Sequence, residues 1–326
     1  MQVKAAVASG GNLPVYKNIE IEAPKPGEVA IEVIAVGYSN LVKARAEGRH
    51  YSTGSMDKES LVGVDGVGKI QGTDDLVYFV NLGPGKGTYL EVVNVSENFV
   101  YPFPKDTDEK APERVAALAN GAMASYMALF DRVGDVPADA KIVVLGATGT
   151  AGQLAIQLTK KIFGAKTVVG VARSAEKLAK LKQSQPLLDE VIALDEDEDK
   201  IIASESLNDV DIVLDFLWGK PATKILTAAV KSKTEKSKRL AWVQIGLLAG
   251  EDFSVPAAFL RSCNLVILGS GIGPLSAEQN KKVLQGVTEA LALGKLEINY
   301  REAALADIAE EWAKPMGDVR TFFKVK

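Results

Sequence analysis

One stretch constrains this chain more than any other: Lys141–Gly152, KIVVLGATGTAG. The apolar run Ile142-Val143-Val144-Leu145 stops at Gly146, and further glycines fall at Gly149 and Gly152. Behind them Ala151, Leu154, Ala155, Leu158 and Ile162 recur at three- and four-residue steps, so they share one helical face. A strand, a glycine turn and a helix aim free backbone N–H groups and the positive end of a helix dipole at a phosphate. The spacing is G-x-x-G-x-x-G, an approximation to the regular dinucleotide fingerprint G-x-G-x-x-G. A tight βα turn with no ligand would satisfy the same pattern, so the context must decide.

The context is a strict alternation. Strands are expected over 141–145, 167–172, 191–194, 211–215, 239–245 and 264–269. Helices are expected over 150–163, 174–184, 199–206 and 220–230. Short apolar strands alternating with amphipathic helices predict a parallel sheet covered on both faces, a doubly wound nucleotide-binding domain. Its ligand belongs at the carboxyl ends of the strands.

The first 118 residues read differently. Strands are expected over 2–8, 28–36, 61–70, 75–80 and 88–95, with a short helix over 41–47 and a polar loop over 48–60. Three glycines inside 61–70 suggest bulges or close backbone approach. Short strands with glycine corners suggest a small barrel. Two helices, 113–119 and 122–132, are expected to break near Asn120-Gly121. A helix over 276–293 and the tail should return to the first domain. The expected division is therefore 1–118 with 276–326, and 119–275.

Composition closes off other classes. The 326 residues suffice for two domains, and a net charge of −4 argues against a partner held through nucleic-acid phosphates. No run of about 18 apolar residues suggests a membrane span. The N-terminus reads as a first strand rather than a signal peptide, so a cytoplasmic address is expected. With one cysteine, Cys263, and one histidine, His50, neither a disulfide framework nor a Cys/His zinc site can be built. If this chain is an enzyme, its chemistry must come from elsewhere, such as a bound cofactor.

The end of the second parallel strand points to which cofactor. An acidic residue there would bind the ribose 2′-hydroxyl of NAD. This chain has Ala172, followed by Arg173 and Ser174, with Lys177 one helical turn on. A guanidinium fork and a short hydroxyl suit a 2′-phosphate, so NADPH is the expected cofactor.

The order of these pieces resembles the medium-chain dehydrogenase/reductase superfamily, in its zinc-independent quinone oxidoreductase-like branch. The likeness rests on 24–36 with Gly37-Tyr38-Ser39-Asn40, Gly63–Gly68, 75–80, the Gly146–Gly152 turn, Val243–Gly246 and Leu268-Gly269-Ser270-Gly271. Where zinc-containing relatives have a Cys ligand this chain has Ser39. Their Gly-His-Glu segment matches Gly63-Val64-Asp65, so the His position is Val64, and the cysteine-rich zinc loop is missing. The resemblance implies an α/β fold, with a GroES-like, partly open barrel domain and a Rossmann domain. It also implies NADPH-dependent, zinc-independent reduction of a quinone or an α,β-unsaturated carbonyl compound.

The resemblance carries residues as well. It maps the diphosphate turn onto Gly146, Thr148, Gly149, Thr150, Ala151 and Gly152, and the 2′-phosphate site onto Arg173, Ser174 and Lys177. Ser125 is placed near the nicotinamide, lined by backbone at Gly246-Leu247 and Gly269-Ser270-Gly271. Tyr51 falls where similar enzymes have a cleft tyrosine, able to orient a substrate carbonyl or donate a proton; it could equally be a packing residue of its loop. Asn40 is a second candidate donor to substrate, or a turn residue ending a strand. A homodimer formed through the run 264–269 is a further expectation.

Other features are set aside. His50, in a polar loop without a carboxylate partner nearby in sequence, makes no triad. Cys263 reads as a buried thiol. The acidic run 195–199 and the basic run 231–239, with five positive residues and one negative, read as exposed loops. Asp215 ends the fourth parallel strand and is placed to cap the next turn. Two rival functions stay open: an enoyl-thioester reductase on the same fold, and a non-catalytic NADPH-binding regulatory protein.

Overall fold

In the computed structural model, residues 1–9, 12–50, 59–83, 85–195, 198–317 and 319–325 are described. The chain divides into two compact units, Met1–Asn120 with Leu284–Lys326, and Gly121–Val283.

The first unit is β-rich. It opens with β1 (Gln2–Ala8), β2 (Val15–Glu20) and β3 (Glu28–Gly37), and continues through α1 (Asn40–Ala46) and β4 (Ser60–Leu61). β5 (Asp65–Ile70), β6 (Leu76–Val80), β7 (Val92–Ser96) and β8 (Val100–Pro102) follow. α2 (Ala111–Met127) then carries the chain into the second unit. There β9 (Lys141–Leu145), β10 (Thr167–Ala172), β11 (Glu190–Ala193), β12 (Ile212–Asp215), β13 (Leu240–Gln244) and β14 (Leu265–Gly269) alternate with helices. These are α3 (Thr150–Lys161), α4 (Ala175–Ser184), α5 (Glu198–Ile202), α6 (Gly219–Lys231) and α7 (Ala257–Ser262). α8 (Ala277–Ala292) leads back, and β15 (Tyr300–Ala304), α9 (Ile308–Ala313) and β16 (Arg320–Lys324) complete the first unit.

Two sheets build the first unit, β2-β1-β4 and β15-β16-β3-β5-β6-β8, with β7 also paired to β3. They close over one core, to which β1 gives Val3 and Ala5, β3 gives Ile31 and Val33, and β6 gives Val77 and Phe79. The glycine-rich run does mark close approach. The register of β3 on β5 slips between Val33 and Ala35, and a Cβ on Gly68 would lie 2.3 Å from the Glu32 carbonyl oxygen. The run is also split: β4 stops at Leu61 and β5 starts at Asp65.

The second unit is a parallel sheet in the order β11-β10-β9-β12-β13-β14. Its strands are buried on both faces. Ile142 and Val144 pack on one side with Ala155 and Ile156 of α3, while Val143 and Leu145 pack on the other with Ile225 and Leu226 of α6. This two-sided burial is why β9 reads KIVVL rather than alternating. The order reverses between β9 and β12, the switch point at which such sheets open a crevice.

Several sequence expectations change. The expected break at Asn120-Gly121 is absent; α2 runs unbroken through both residues, then widens into a π-helical segment over Ala128–Val133. A helical glycine costs about 1 kcal/mol, but Leu118, Ala119, Ala122 and Met123 are all buried around it. The strand expected over 88–95 starts only at Val92, because the Tyr89 carbonyl accepts from Ala6 N (2.8 Å) and Leu90 bridges Ala5. β2, α7, β15 and β16 carry no comparable sequence signal and emerge only in the fold.

Candidate functional site

The glycine turn is built as a cradle. Gly146 leaves β9 with φ +95°, and its N–H donates to the Val171 carbonyl (2.8 Å). Gly149 stands at the N-cap of α3 with no side chain to cap it, so the first turn's N–H groups keep their donors facing outward. A Cβ on Gly152 would lie 2.3 Å from the Gly146 carbonyl oxygen and 2.8 Å from Ala147 Cα. Only glycine lets helix and turn approach this closely. Gln153 Nε2 donates to the Thr148 carbonyl (3.1 Å) and pins the loop.

The neighbouring strand ends supply the remaining candidates. Ala172 closes β10 and is buried, whereas Arg173, the next residue, is exposed. Ser174 is the N-cap of α4, accepting at Oγ from Lys177 N (3.2 Å). Its capping role fixes the Arg173–Lys177 turn and leaves its own hydroxyl proton to donate. After β13, Gly246 N donates to the Asp215 carbonyl (3.0 Å), and Leu247 is exposed. After β14, Ser270 Oγ donates to the Ala124 carbonyl (2.8 Å) on α2, and Arg132 Nε donates to the Gly269 carbonyl (2.9 Å). Ser270 therefore ties its loop to the residue preceding Ser125. Ser125 is fully buried, and its Oγ has no hydrogen-bond partner among the described residues.

Within the second unit Gly146, Arg173 and Gly246 follow the carboxyl ends of β9, β10 and β13, Gly269 ends β14, and Ser270 is hydrogen-bonded to the residue before Ser125. Beside β13 and β14 lies a cavity of about 550 Å³, lined by Trp218, Gln244, Leu247, Glu251 and Ile267 among others. Sequence reasoning missed Trp218. It sits at φ +58°, its backbone N–H and that of Leu217 both donate to Asp215 Oδ1 (2.8 and 2.9 Å), and its indole donates to the Glu251 carbonyl (3.0 Å). The sequence signal was the Trp218-Gly219 pair, with Trp218 three residues after a strand-ending aspartate. Asp215 does cap this turn, and its Oδ2 also accepts from Trp242 Nε1 (2.9 Å). Burial pushes its carboxyl up despite these three donors.

These residues fit a dinucleotide phosphate. The cradle offers open N–H donors, Ser125 offers an unspent buried hydroxyl, and no carboxylate stands at Ala172 to repel a 2′-phosphate.

The first unit holds the other candidates. Ser39 is buried and caps α1, accepting at Oγ from Val42 N (3.3 Å), and Val64 is buried in the core. Neither side chain can serve as a zinc ligand where it stands. Among the described residues no group of three or more His, Cys, Asp or Glu could hold a metal ion. Asn40 is the exposed first residue of α1. Tyr51 lies outside the described residues. His50 is half-buried, and burial with the nearby Arg45 charge lowers its pKa. Cys263 is buried. The run 231–239 is more structural than expected. Lys233 is buried on the Val210 carbonyl (3.3 Å), Lys238 pairs with Asp211 (2.6 Å), and Arg239 donates to the Val133 carbonyl (3.2 Å).

A β-rich unit and a doubly wound parallel sheet with a glycine cradle at its switch point define the class: a two-unit protein with a dinucleotide-type sheet unit. No family model matches the chain. A probable NADPH-dependent quinone reductase, tdiC of Emericella nidulans, is 28% identical over 334 residues, covering 92% of each protein. The quinone oxidoreductase of Thermus thermophilus, solved alone and with NADPH, superposes with a TM-score of 0.75 at 20% identity over 99% of this chain and 100% of that one. The Etr1p complex with NADP and crotonyl-CoA superposes with a TM-score of 0.75 at 14% identity, covering 100% of both chains. The chain shares the fold of these solved structures and is similar in sequence to the quinone reductase along 92% of its length.

Proposed function

We propose that this protein is an NADPH-dependent oxidoreductase that reduces quinones or α,β-unsaturated carbonyl compounds without zinc. The observation that carries the reading is the pairing of the open cradle at Gly146–Gly152 with Arg173-Ser174 after an apolar Ala172. The naming of a 28%-identical relative as an NADPH-dependent quinone reductase supports it. Bound NADPH would supply a hydride equivalent to an electron-poor carbon or oxygen. The chain's own residues do the rest. The N–H groups at the start of α3 hold the diphosphate, Arg173, Ser174 and Lys177 hold the 2′-phosphate, and Ser125 gives the nicotinamide amide a buried hydroxyl. Backbone at Gly246-Leu247 and Gly269-Ser270-Gly271 would line the nicotinamide. Asn40 is the candidate donor to the substrate oxygen and Tyr51 the candidate orienter or proton source; quinol oxygens can also take protons from water.

In this reading residues 119–275 bind cofactor, while 1–118 and 276–326 shape the substrate side. The protein is cytoplasmic. Two copies pair along β14, the edge strand of the parallel sheet, where Ile267 is 37% exposed. Sedimentation as a monomer at micromolar concentration would remove the dimer.

The direct test is NADPH oxidation against a panel of quinones, enones and enoyl thioesters. Turnover of quinones or enones supports the proposal. Turnover of enoyl thioesters alone would favour an enoyl-thioester reductase, the reading prompted by the likeness to the crotonyl-CoA complex. NADPH binding with no oxidation across the panel would favour a regulatory binding protein.

A further inference from the structure

The β-rich unit buries a carboxylate that its fold would be cheaper without. Asp65, the first residue of β5, is 2% exposed. Its Oδ2 accepts from Tyr78 hydroxyl on β6 (2.8 Å), while its Oδ1 has no hydrogen-bond partner among the described residues. Arg320, the first residue of β16, biases Asp65 toward the charged form, and Asp65 does the same for Arg320, without a direct ion pair among the described residues. The Arg320 Nε is shielded from solvent and also lacks a partner there. Burial pushes the Asp65 carboxyl up to about 6, against the lowering effects of Tyr78 and Arg320. Half-satisfied buried charges are an expensive way to fill a core.

What this pair supports is the end of β3. Arg320 Nη1 donates to the Tyr38 carbonyl (3.3 Å), and Tyr38 N donates to the Thr321 carbonyl (3.1 Å). Tyr89 hydroxyl donates to the Gly37 carbonyl (2.7 Å). From the other side, a Cβ on Gly37 would lie 2.2 Å from the Ala116 carbonyl oxygen, so the corner cannot slide toward α2. The next residues are Ser39, which caps α1, and Asn40, its exposed start. Two successive carbonyls of the Gly37–Asn40 corner are thus held by the side chains of Tyr89 and Arg320, each of which interacts electrostatically with the buried Asp65.

We propose that Asp65 is a positioning residue for the substrate side of the site: its charge holds the Arg320 guanidinium on the Tyr38 carbonyl and so fixes where Asn40 points. The proposal rests on the reading that Asn40 faces substrate. The groups facing Asp65 are Tyr78, Tyr89 and Arg320; Tyr101 packs against Tyr78, with ring centroids 6.1 Å apart, and Glu47 and Glu311 act on Tyr38. Neutralising Asp65, by mutation or by acid, frees Arg320 and loosens the corner.

The test uses the full chain, comparing wild type with Asp65→Asn, Arg320→Gln and the double variant. Two readouts are needed: KM for 1,4-naphthoquinone with the NADPH Kd from pH 5 to 8, and amide hydrogen exchange of residues 37–46 without substrate. Asp65→Asn should stay folded at pH 7.5, raise KM about tenfold, leave the NADPH Kd unchanged and flatten the wild-type rise in KM below pH 6. Exchange over residues 37–46 should quicken about tenfold, with Arg320→Gln matching it and the double variant adding nothing. Wild-type exchange in Asp65→Asn, or its failure to fold, would overturn the proposal. If quinone is not turned over but exchange responds as expected, the assignment of substrate fails while the positioning role stands.

Discussion

Replacing Gly152 by alanine sets two effects against each other, and the structure says which wins. Alanine is the better helix residue by about 1 kcal/mol. The new Cβ, however, would lie 2.3 Å from the Gly146 carbonyl oxygen, 2.8 Å from Ala147 Cα and 2.9 Å from the Gly146 carbonyl carbon. All three are backbone atoms of the cradle, so relief requires the turn to open. Overpacking of this kind costs roughly 1–3 kcal/mol, with rigid backbone at the upper end. The net effect is about 2 kcal/mol of destabilisation, a fall in thermal midpoint of roughly 4–8 °C for a unit of this size. Opening the turn also spoils the N–H donors, and one charged hydrogen bond lost is worth about tenfold or more in affinity. The control is Gly149→Ala. There the nearest atom to the new Cβ is the Gly146 carbonyl oxygen at 3.4 Å, and no positive φ opposes the change. Thermal melts and NADPH fluorescence titrations should show Gly149→Ala close to wild type in stability and Gly152→Ala impaired in both. Equal melting of the two variants would refute the reasoning.

Two further outcomes are expected. Arg173→Ala should weaken NADPH by about 10–100-fold while leaving NADH nearly unchanged in a fluorescence titration, since a charged hydrogen bond to phosphate is worth roughly 1.5–3 kcal/mol; equal loss for both would take Arg173 away from the 2′-phosphate. Asp65 should also mark the pH dependence of stability. Its pKa is raised to about 6 in the folded protein, against about 3.9 unfolded, so its favourable contribution is complete below about pH 4 and is lost as the pH rises through 6, a change of about 3 kcal/mol by pH 7. The stability of Asp65→Asn relative to wild type, from denaturant melts, should therefore climb between about pH 4 and pH 7, and a flat difference would contradict the buried charge.

Much of the second unit was legible because its signals are local. Ile142–Leu145 and the buried strand Val168–Ala172 are short apolar runs, and a strand covered on both faces can be little else. Ser174 reads from sequence as part of the helix and proves to be its cap, a shift of one residue. The first unit was less legible. β15 and β16 pair with each other in parallel and join the sheet through β3, which lies far upstream in the chain, so nothing near them in sequence announces a strand. The expected strand 88–95 lost its first residues to a bridge with β1, a competition between distant segments.

The sequence by itself determined the glycine turn, the alternation of strand and helix and the lack of a carboxylate at Ala172. Each follows from residue identity at a few adjacent positions. The tertiary structure alone decided the strand order β11-β10-β9-β12-β13-β14, which puts the cradle at a switch point. It alone brought Ser270 to the carbonyl beside Ser125, 146 positions away, and Arg320 to the Tyr38 carbonyl, 282 positions away. It alone buried Asp65 under Tyr78. The reason is physical: a backbone conformation is set by neighbours along the chain, whereas a buried charge or an unspent hydroxyl acquires its meaning from groups that only the packed fold brings within reach.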